Sequence, residues 1–131
     1  MKRIILYLLC YIIFLNCGID NHTKLSGGYI FRHEGYLIND ILGRHEIPTN
    51  VISCYYNEKL IIAKQMPARY DDAIYDQRPV YKEGRDRLYY WLIIHDGDIF
   101  LGPMNETELK EAKIKFKIPE EGELKSIIVE K

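Results

Sequence analysis

The chain has 131 residues, of which 47% are hydrophobic and 28% are charged. This length accommodates one domain, and the composition is that of a folded protein rather than a disordered one. The formal net charge of −1 becomes −3 without Lys2 and Arg3, because 16 basic residues then face 19 acidic ones. This balance argues against nucleic acid as a partner, since nucleic-acid-binding domains carry a basic surface.

The first 17 residues have the pattern of an export signal. Lys2 and Arg3 precede a twelve-residue apolar run from Ile4 to Leu15, which is too short to cross a bilayer comfortably. Asn16 and Cys17 follow the run, and Cys17 looks like the lipid-bearing cysteine of a bacterial lipoprotein, with cleavage just before it. Small residues are usual at the preceding position, so Asn16 leaves an uncleaved anchor as the alternative. In both cases we expect a domain held to the membrane on the extracytoplasmic side of the cell envelope.

Residues 18–26 are mostly polar and predict a tether that lifts the domain off a lipid surface. Gly27 and Gly28 separate this tether from the fold, so a single domain is expected over residues 27–131. Of the three cysteines, Cys10 lies in the leader and Cys17 takes the lipid, which leaves no pair for an internal disulfide. Cys54 lies inside a strand pattern, and we expect it to be an inert, buried thiol.

Two hairpins are expected before residue 66. In both stretches, apolar and β-branched residues flank a short turn signal. The first hairpin pairs Tyr29–His33 with Tyr36–Leu42 across Glu34-Gly35, and the second pairs Val51–Tyr56 with Leu60–Lys64 across Asn57-Glu58.

The stretch from Met66 to Arg87 has neither a helical nor an alternating period, and 22 residues is long for a connection in a small domain. Such loops are usually functional or mobile, and the aromatic residues here argue against disorder. Tyrosine and arginine concentrate binding energy at protein interfaces. The predicted contacts of a binding loop are Arg69, Tyr70, Tyr75, Arg78 and Tyr81. The alternative is that these tyrosines fold back on the sheet edge while the charged residues stay in solvent.

Leu88–Ile94 is apolar in both alternating sets of residues. This is the pattern of a strand covered on both faces, so we predict that it is the central strand of a sheet. Asp96-Gly97 predicts a two-residue hairpin turn, with Asp98–Leu101 returning antiparallel beside the central strand. Gly102-Pro103 is then expected to end the sheet.

A helix is predicted after this hairpin. Asn105 stands three residues before Glu108, which is the spacing of an N-terminal cap. Leu109, Ala112 and Phe116 fall at helical spacing on one face, and we expect that face to cover the central strand.

The predicted fold class is α+β, with a single antiparallel β-sheet of five to seven strands packed by one C-terminal helix from about Asn105 to Ile118. Leu124–Val129 predicts either one more edge strand or a docked tail.

Several of these segments together resemble a known family. Gly28-Tyr29, the strand pair around Val51–Gln65, the run Tyr90–Ile93 and Gly102-Pro103 before a capped helix are similar to small bacterial lipoproteins that form a domain of unknown function. The resemblance covers most of residues 26–128 and implies export but no activity. A local likeness of about thirty residues, from the Trp91 strand into the helix, is to GYF-type modules that bind proline-rich peptides, although the aromatic signature of those modules is absent here.

Catalytic and metal sites are not indicated by the sequence. The four histidines are His22, His33, His45 and His95, and no two of them have the spacing that places two metal ligands on one face of a helix or strand. No nucleophile motif such as G-x-S-x-G is present. We therefore expect no metal, no cofactor and no catalytic residue.

The expected function is that of a membrane-tethered extracytoplasmic lipoprotein that binds or inhibits a protein or peptide partner. The alternative is an exported hydrolase built on the acidic 66–87 loop, because Asp71, Asp72 and Asp76 have the side chains that acid–base chemistry uses. Turnover of generic ester, glycoside or peptide substrates would separate the two functions.

Overall fold

The computed structural model describes residues 22–39, 45–69 and 79–128. In these ranges the backbone forms nine strands, one α-helix and one short 3-10 helix. The strands are β1 (His22–Lys24), β2 (Tyr29–Arg32), β3 (Tyr36–Asn39), β4 (Glu46–Ile47), β5 (Val51–Tyr56), β6 (Leu60–Gln65), β7 (Tyr89–Ile94), β8 (Ile99–Met104) and β9 (Lys125–Ile128). The helix α1 spans Glu106–Lys115, and the 3-10 helix spans Glu121–Glu123.

The strands form two antiparallel sheets, so the prediction of a single sheet was wrong. Sheet 1 has the order β1-β2-β3-β4, and sheet 2 has the order β8-β7-β6-β5-β9. Alternation in a sequence shows which residues are buried but not which strands share a ladder, and the error arose there. Only residues 48–50 separate β4 from β5, and the Asn50 N–H already donates to the Met66 carbonyl oxygen at 3.2 Å. The chain therefore changes sheet within a three-residue link.

Sheet 2 is the middle of three layers, with sheet 1 on one face and α1 on the other. The cluster between the sheets joins Phe31 to Trp91, and the cluster under the helix joins Leu92 to Leu109 and Ala112. Successive residues of β7 enter the two clusters alternately, which confirms the prediction of a strand covered on both faces. The middle strand of sheet 2 is β6, however, so the prediction that β7 is the central strand was wrong by one position.

The helix follows its sequence signals closely. The Asn105 side chain accepts a hydrogen bond from the Glu108 N–H at 2.8 Å, which confirms the predicted cap. Leu109 and Ala112 are buried and Phe116 is partly buried against them, so the predicted face does cover sheet 2. Lys117 has a φ of 52°, and the helix ends before it.

The turn between β7 and β8 differs from the two-residue turn expected at Asp96-Gly97. Four residues, 95–98, connect the strands, and the Asp98 N–H donates to the His95 carbonyl oxygen at 3.2 Å. Gly97 has a φ of 80° at the third position of this turn, as a type II turn requires. The sequence therefore identified the turn but not its length.

Gly102-Pro103 does not end the sheet, contrary to prediction, because β8 continues through both residues to Met104. The register between β7 and β8 shifts between Tyr90 and Leu92, so a bulge accommodates this stretch. β8 is also an edge strand of sheet 2, and edge strands and bulges are where a sheet tolerates proline.

Both ends of the described chain are in strands. His22–Lys24, within the predicted tether of residues 18–26, pairs as β1 with β2, so part of that segment belongs to sheet 1. At the other end, Lys125–Ile128 pairs with β5, which selects the edge-strand alternative over the docked tail. The first two predicted hairpins are present as β2–β3 and β5–β6.

Candidate functional site

Two open grooves mark the surface of the described residues. The β8 groove has a volume of about 620 Å³ and is lined by β8, β4, the chain after residue 79 and the start of α1. The helix-end groove has about 850 Å³ and lies between the turns at 57–59 and 95–98 and the end of α1. Both volumes fall in the range of ligand sites. The β8 groove is lined by Glu46, Pro79, Val80, Lys82, Trp91, Phe100, Leu101, Gly102, Pro103, Met104 and Glu108.

The floor of the β8 groove is aromatic. The Phe100 ring centroid is 5.4 Å from that of Trp91 and 4.7 Å from that of His45, which stacks on it at 17°. Gly102 lies so close to the indole that a Cβ there would be 2.6 Å from Trp91 Cε3, and its φ of 143° is one that side chains rarely adopt. The shape of the floor therefore depends on glycine at position 102.

A buried polar network holds this floor from beneath. The Trp91 Nε1–H donates to Gln65 Oε1 at 2.7 Å, and Gln65 is fully buried. Gln65 Nε2 in turn donates to the Pro48 carbonyl oxygen at 2.8 Å and to the Tyr81 hydroxyl at 3.0 Å. A buried amide with partners on both its oxygen and its nitrogen fixes the orientation of everything bonded to it. The network thus connects the link at residues 48–50, β6, β7 and the loop that contains Tyr81. Together these segments support the floor of the β8 groove.

The loop around residue 80 forms one wall of the β8 groove, and contacts of Tyr81 and Tyr89 hold it against the rest of the protein. The Tyr81 ring packs on Tyr89 at 5.1 Å between centroids, and the Arg85 guanidinium lies 5.0 Å above the Tyr81 ring. The Tyr89 hydroxyl donates to the Gly84 carbonyl oxygen at 2.7 Å. Val80, next to Tyr81, is 76% exposed at the groove. Residues 80–85 therefore pack on Tyr89 on one side and present an apolar residue to solvent on the other.

The rim of the β8 groove carries three charged residues. Lys82 Nζ lies 3.9 Å from Glu108 Oε1, so these two form an ion pair. Glu46 also lines the groove, and among the described residues its carboxylate makes no ion pair or side-chain hydrogen bond. The described rim therefore has one negative charge that is not balanced locally.

At the other end of β8, two histidines connect sheet 1 to the turn at 95–98. The Ser26 hydroxyl and His95 Nε2 are hydrogen-bonded at 2.7 Å, and the His95 ring stacks on Tyr29. His45 Nε2 lies 3.3 Å from the Asp98 carboxylate. Burial lowers the pKa of His95 from its ordinary value, so the neutral imidazole is the favoured form. These contacts join the two sheets at the turn.

The structure accounts for two of the five predicted binding residues. Arg69 is exposed, whereas Tyr81 is half-buried in the network with Gln65. Tyr70, Tyr75 and Arg78 lie outside the described residues, and so do the loop acids at 71, 72 and 76 and the leader with its predicted lipid site at residue 17. The binding roles of these residues stay predictions.

The β8 groove itself was not foreseen from the sequence. It combines Glu46 from sheet 1, Val80 from the loop and Phe100 from sheet 2, which are distant in the chain and come together only when the sheets stack. One sequence signal could have pointed to it, since a glycine beside a proline within a strand often marks a bulge or a close backbone approach, but Gly102-Pro103 was interpreted as the end of the sheet.

Three further observations concern Cys54, metal binding and membrane-spanning helices. Cys54 is fully buried, as expected, and burial raises the pKa of its thiol to about 12, so the reactive thiolate is disfavoured. Within residues 22–39, 45–69 and 79–128, no three histidine, cysteine or acidic side chains lie close enough together to hold a metal ion. In the same part of the chain, no helix is long and apolar enough to cross a membrane.

Residues 31–128 match the family described as protein of unknown function (DUF3997). The chain belongs to this family. The match covers β3 to β9, α1 and both grooves, together with the last two residues of β2. No curated protein and no solved structure matches the chain. The resemblance to a domain of unknown function is thus confirmed, and the family description brings no activity with it.

Proposed function

We propose that this member of the family is a lipid-anchored binding module of the cell envelope, which holds an extended peptide segment of a partner protein in the β8 groove. The observation that carries the proposal is the aromatic floor of the groove, because Trp91 and Phe100 are fixed by internal contacts while the groove above them is open. Ligand sites combine such a preformed apolar surface with a few polar groups.

An extended peptide fits this groove better than a compact small molecule. β8 is an edge strand, and in the described residues the outer side of Ile99–Leu101 faces no other strand. Peptides commonly add to such an edge through backbone hydrogen bonds, and the neighbouring pockets select their side chains. Pro103 lacks an N–H, so we expect backbone pairing to be confined to the first half of β8.

The anchor is the second part of the proposal, and it rests on the leader alone. Lys2, Arg3 and the apolar run that precedes Cys17 support export and attachment of palmitate or a related acyl chain. Cys17→Ala should abolish incorporation of labelled palmitate in cells, whereas Cys10→Ala should leave it unchanged. Equal labelling of both variants would refute a lipid on Cys17.

The binding role is tested by photo-crosslinking in cells that express the full chain. Val80 and Ile114 are both exposed apolar residues, at 76% and 80%, but only Val80 lines the β8 groove. A photoreactive residue at position 80 should give discrete protein adducts that the same residue at position 114 does not give. Identical adducts from both positions, or none from position 80, would contradict the proposal.

A further inference from the structure

We propose that the peptide held in the β8 groove inserts a basic side chain, best an arginine, whose charged end reaches Glu46. This inference rests on the proposed function and adds the chemistry of the bound segment. It is carried by the combination of an apolar groove with a rim carboxylate that has no ion-pair partner among the described residues.

The charge argument begins with the difference between the two glutamates of the rim. Glu108 has Lys82 at 3.9 Å, so its charge is already compensated. Glu46 is half-buried and carries no compensating partner among the described residues. A partly desolvated carboxylate gains most from a cationic ligand that also donates hydrogen bonds, and the guanidinium of arginine donates two in parallel.

The apolar part of the groove fits the rest of the same side chain. The stem of an arginine is a chain of methylene groups, which packs on apolar surface while the charged end stays at the edge. Val80 and Phe100 line the same groove as Glu46 and supply such a surface. His45 stacks on Phe100 and Gly102 lies against the Trp91 indole. We therefore assign Glu46, which lines the same groove, as the acceptor for the charged end.

The helix-end groove differs in this respect. Its rim carries two acidic residues, Glu58 and Asp96, and two basic ones, Lys59 and Lys117, so its charges balance. The balanced charges of that groove do not select the sign of a ligand. The preference for a basic ligand is thus expected at the β8 groove alone.

A random dodecapeptide library displayed on phage tests the inference with the full chain in detergent micelles. Peptides selected on the parent should be enriched in arginine at one position of a shared motif. Their affinity, measured by fluorescence anisotropy, should fall about tenfold or more with Glu46→Gln, because a charge-assisted contact is lost. Glu34→Gln changes an exposed acid in the β2–β3 turn and should leave the affinity within about twofold.

Two opposite results are distinguishable. Selection of apolar peptides without a basic residue, or an affinity that Glu46→Gln does not change, would overturn the basic-residue inference and leave the binding role intact. Failure to select any peptide above background, together with no adducts from position 80, would overturn the proposed function and this inference with it.

Discussion

The two faces of sheet 2 are built differently, although both are apolar. The face toward sheet 1 contains the polar network of Gln65 and Trp91 and the histidine contacts at the turn. The face toward α1 buries aliphatic side chains and Met104 against Leu109 and Ala112 of the helix, with Tyr90 and Phe116 partly buried around them. The first face fixes the orientation of particular side chains, and the second supplies burial without specifying orientation. The β8 groove lies at the edge of sheet 2, where the face toward sheet 1 ends.

Among the substitutions considered, Trp91→Ala, on the face of sheet 2 toward sheet 1, should lower the free energy of unfolding most. Trp91 is 3% exposed, and its removal leaves a cavity and deprives the buried Gln65 Oε1 of its donor. We expect the free energy of unfolding, measured by urea denaturation, to fall by about 3–5 kcal/mol. Trp91→Phe retains most of the ring and should cost less. A fall of less than about 1 kcal/mol for the alanine variant would mean that this face is not the specific core described here.

On the helix face, a smaller effect is expected from Leu109→Ala, at about 2–3 kcal/mol, because the helix-side cluster can relax into the space. The matched control is Ile114→Ala on the same helix, since Ile114 is 80% exposed. That control should change the free energy of unfolding by less than about 0.5 kcal/mol. Equal losses in both variants would show that the burial of Leu109 is not what holds α1 on sheet 2, because alanine favours the helix at both positions.

The smallest effect concerns His95 and depends on pH. Because burial lowers its pKa, the folded protein binds fewer protons than the unfolded chain at pH values below 6.5. His95 therefore leaves the free energy of unfolding unchanged above pH 6.5 and lowers it as the pH falls through that value. The urea midpoint of the parent should drop between about pH 7.5 and pH 5.5, and His95→Gln should reduce that drop.

The exposed His33 gives the control for this titration. His33→Gln removes an exposed histidine of the β2–β3 turn and so controls for the loss of a histidine outside the contact between Ser26 and His95. If both variants titrate alike, the contact between Ser26 and His95 does not couple protonation to folding.

Local features of this fold could be predicted from the sequence. The Asn105 cap and the two-sided burial of β7 depend on residues close together in the chain, and the patterns for both are distinctive. The division into two sheets could not be predicted, because β4 has only two residues and so no alternating pattern of its own, and only residues 48–50 separate it from β5. The network of Gln65 was equally hidden, since a glutamine in a strand gives no sign of being buried.

The candidate site was less accessible to prediction than the fold. The loop after residue 66 was expected to bind through its tyrosines, but Tyr81 turns toward the protein and Val80 toward the groove. Adjacent residues of an irregular loop take opposite directions without a period that a sequence could reveal. Glu46 gave no signal at all, because a single acidic residue in a two-residue strand is indistinguishable from an ordinary surface charge.

The early start of β1 limits how far the domain can stand from a membrane. On the proposed lipid anchor, only five peptide units join Cys17 to His22, and even a fully extended chain of that length spans no more than about 18 Å. A tether that extended to residue 26, as the sequence predicted, would let the domain reach further from the membrane. The domain would then stay beside the headgroups, where only partners in or next to the same bilayer come within reach of the β8 groove.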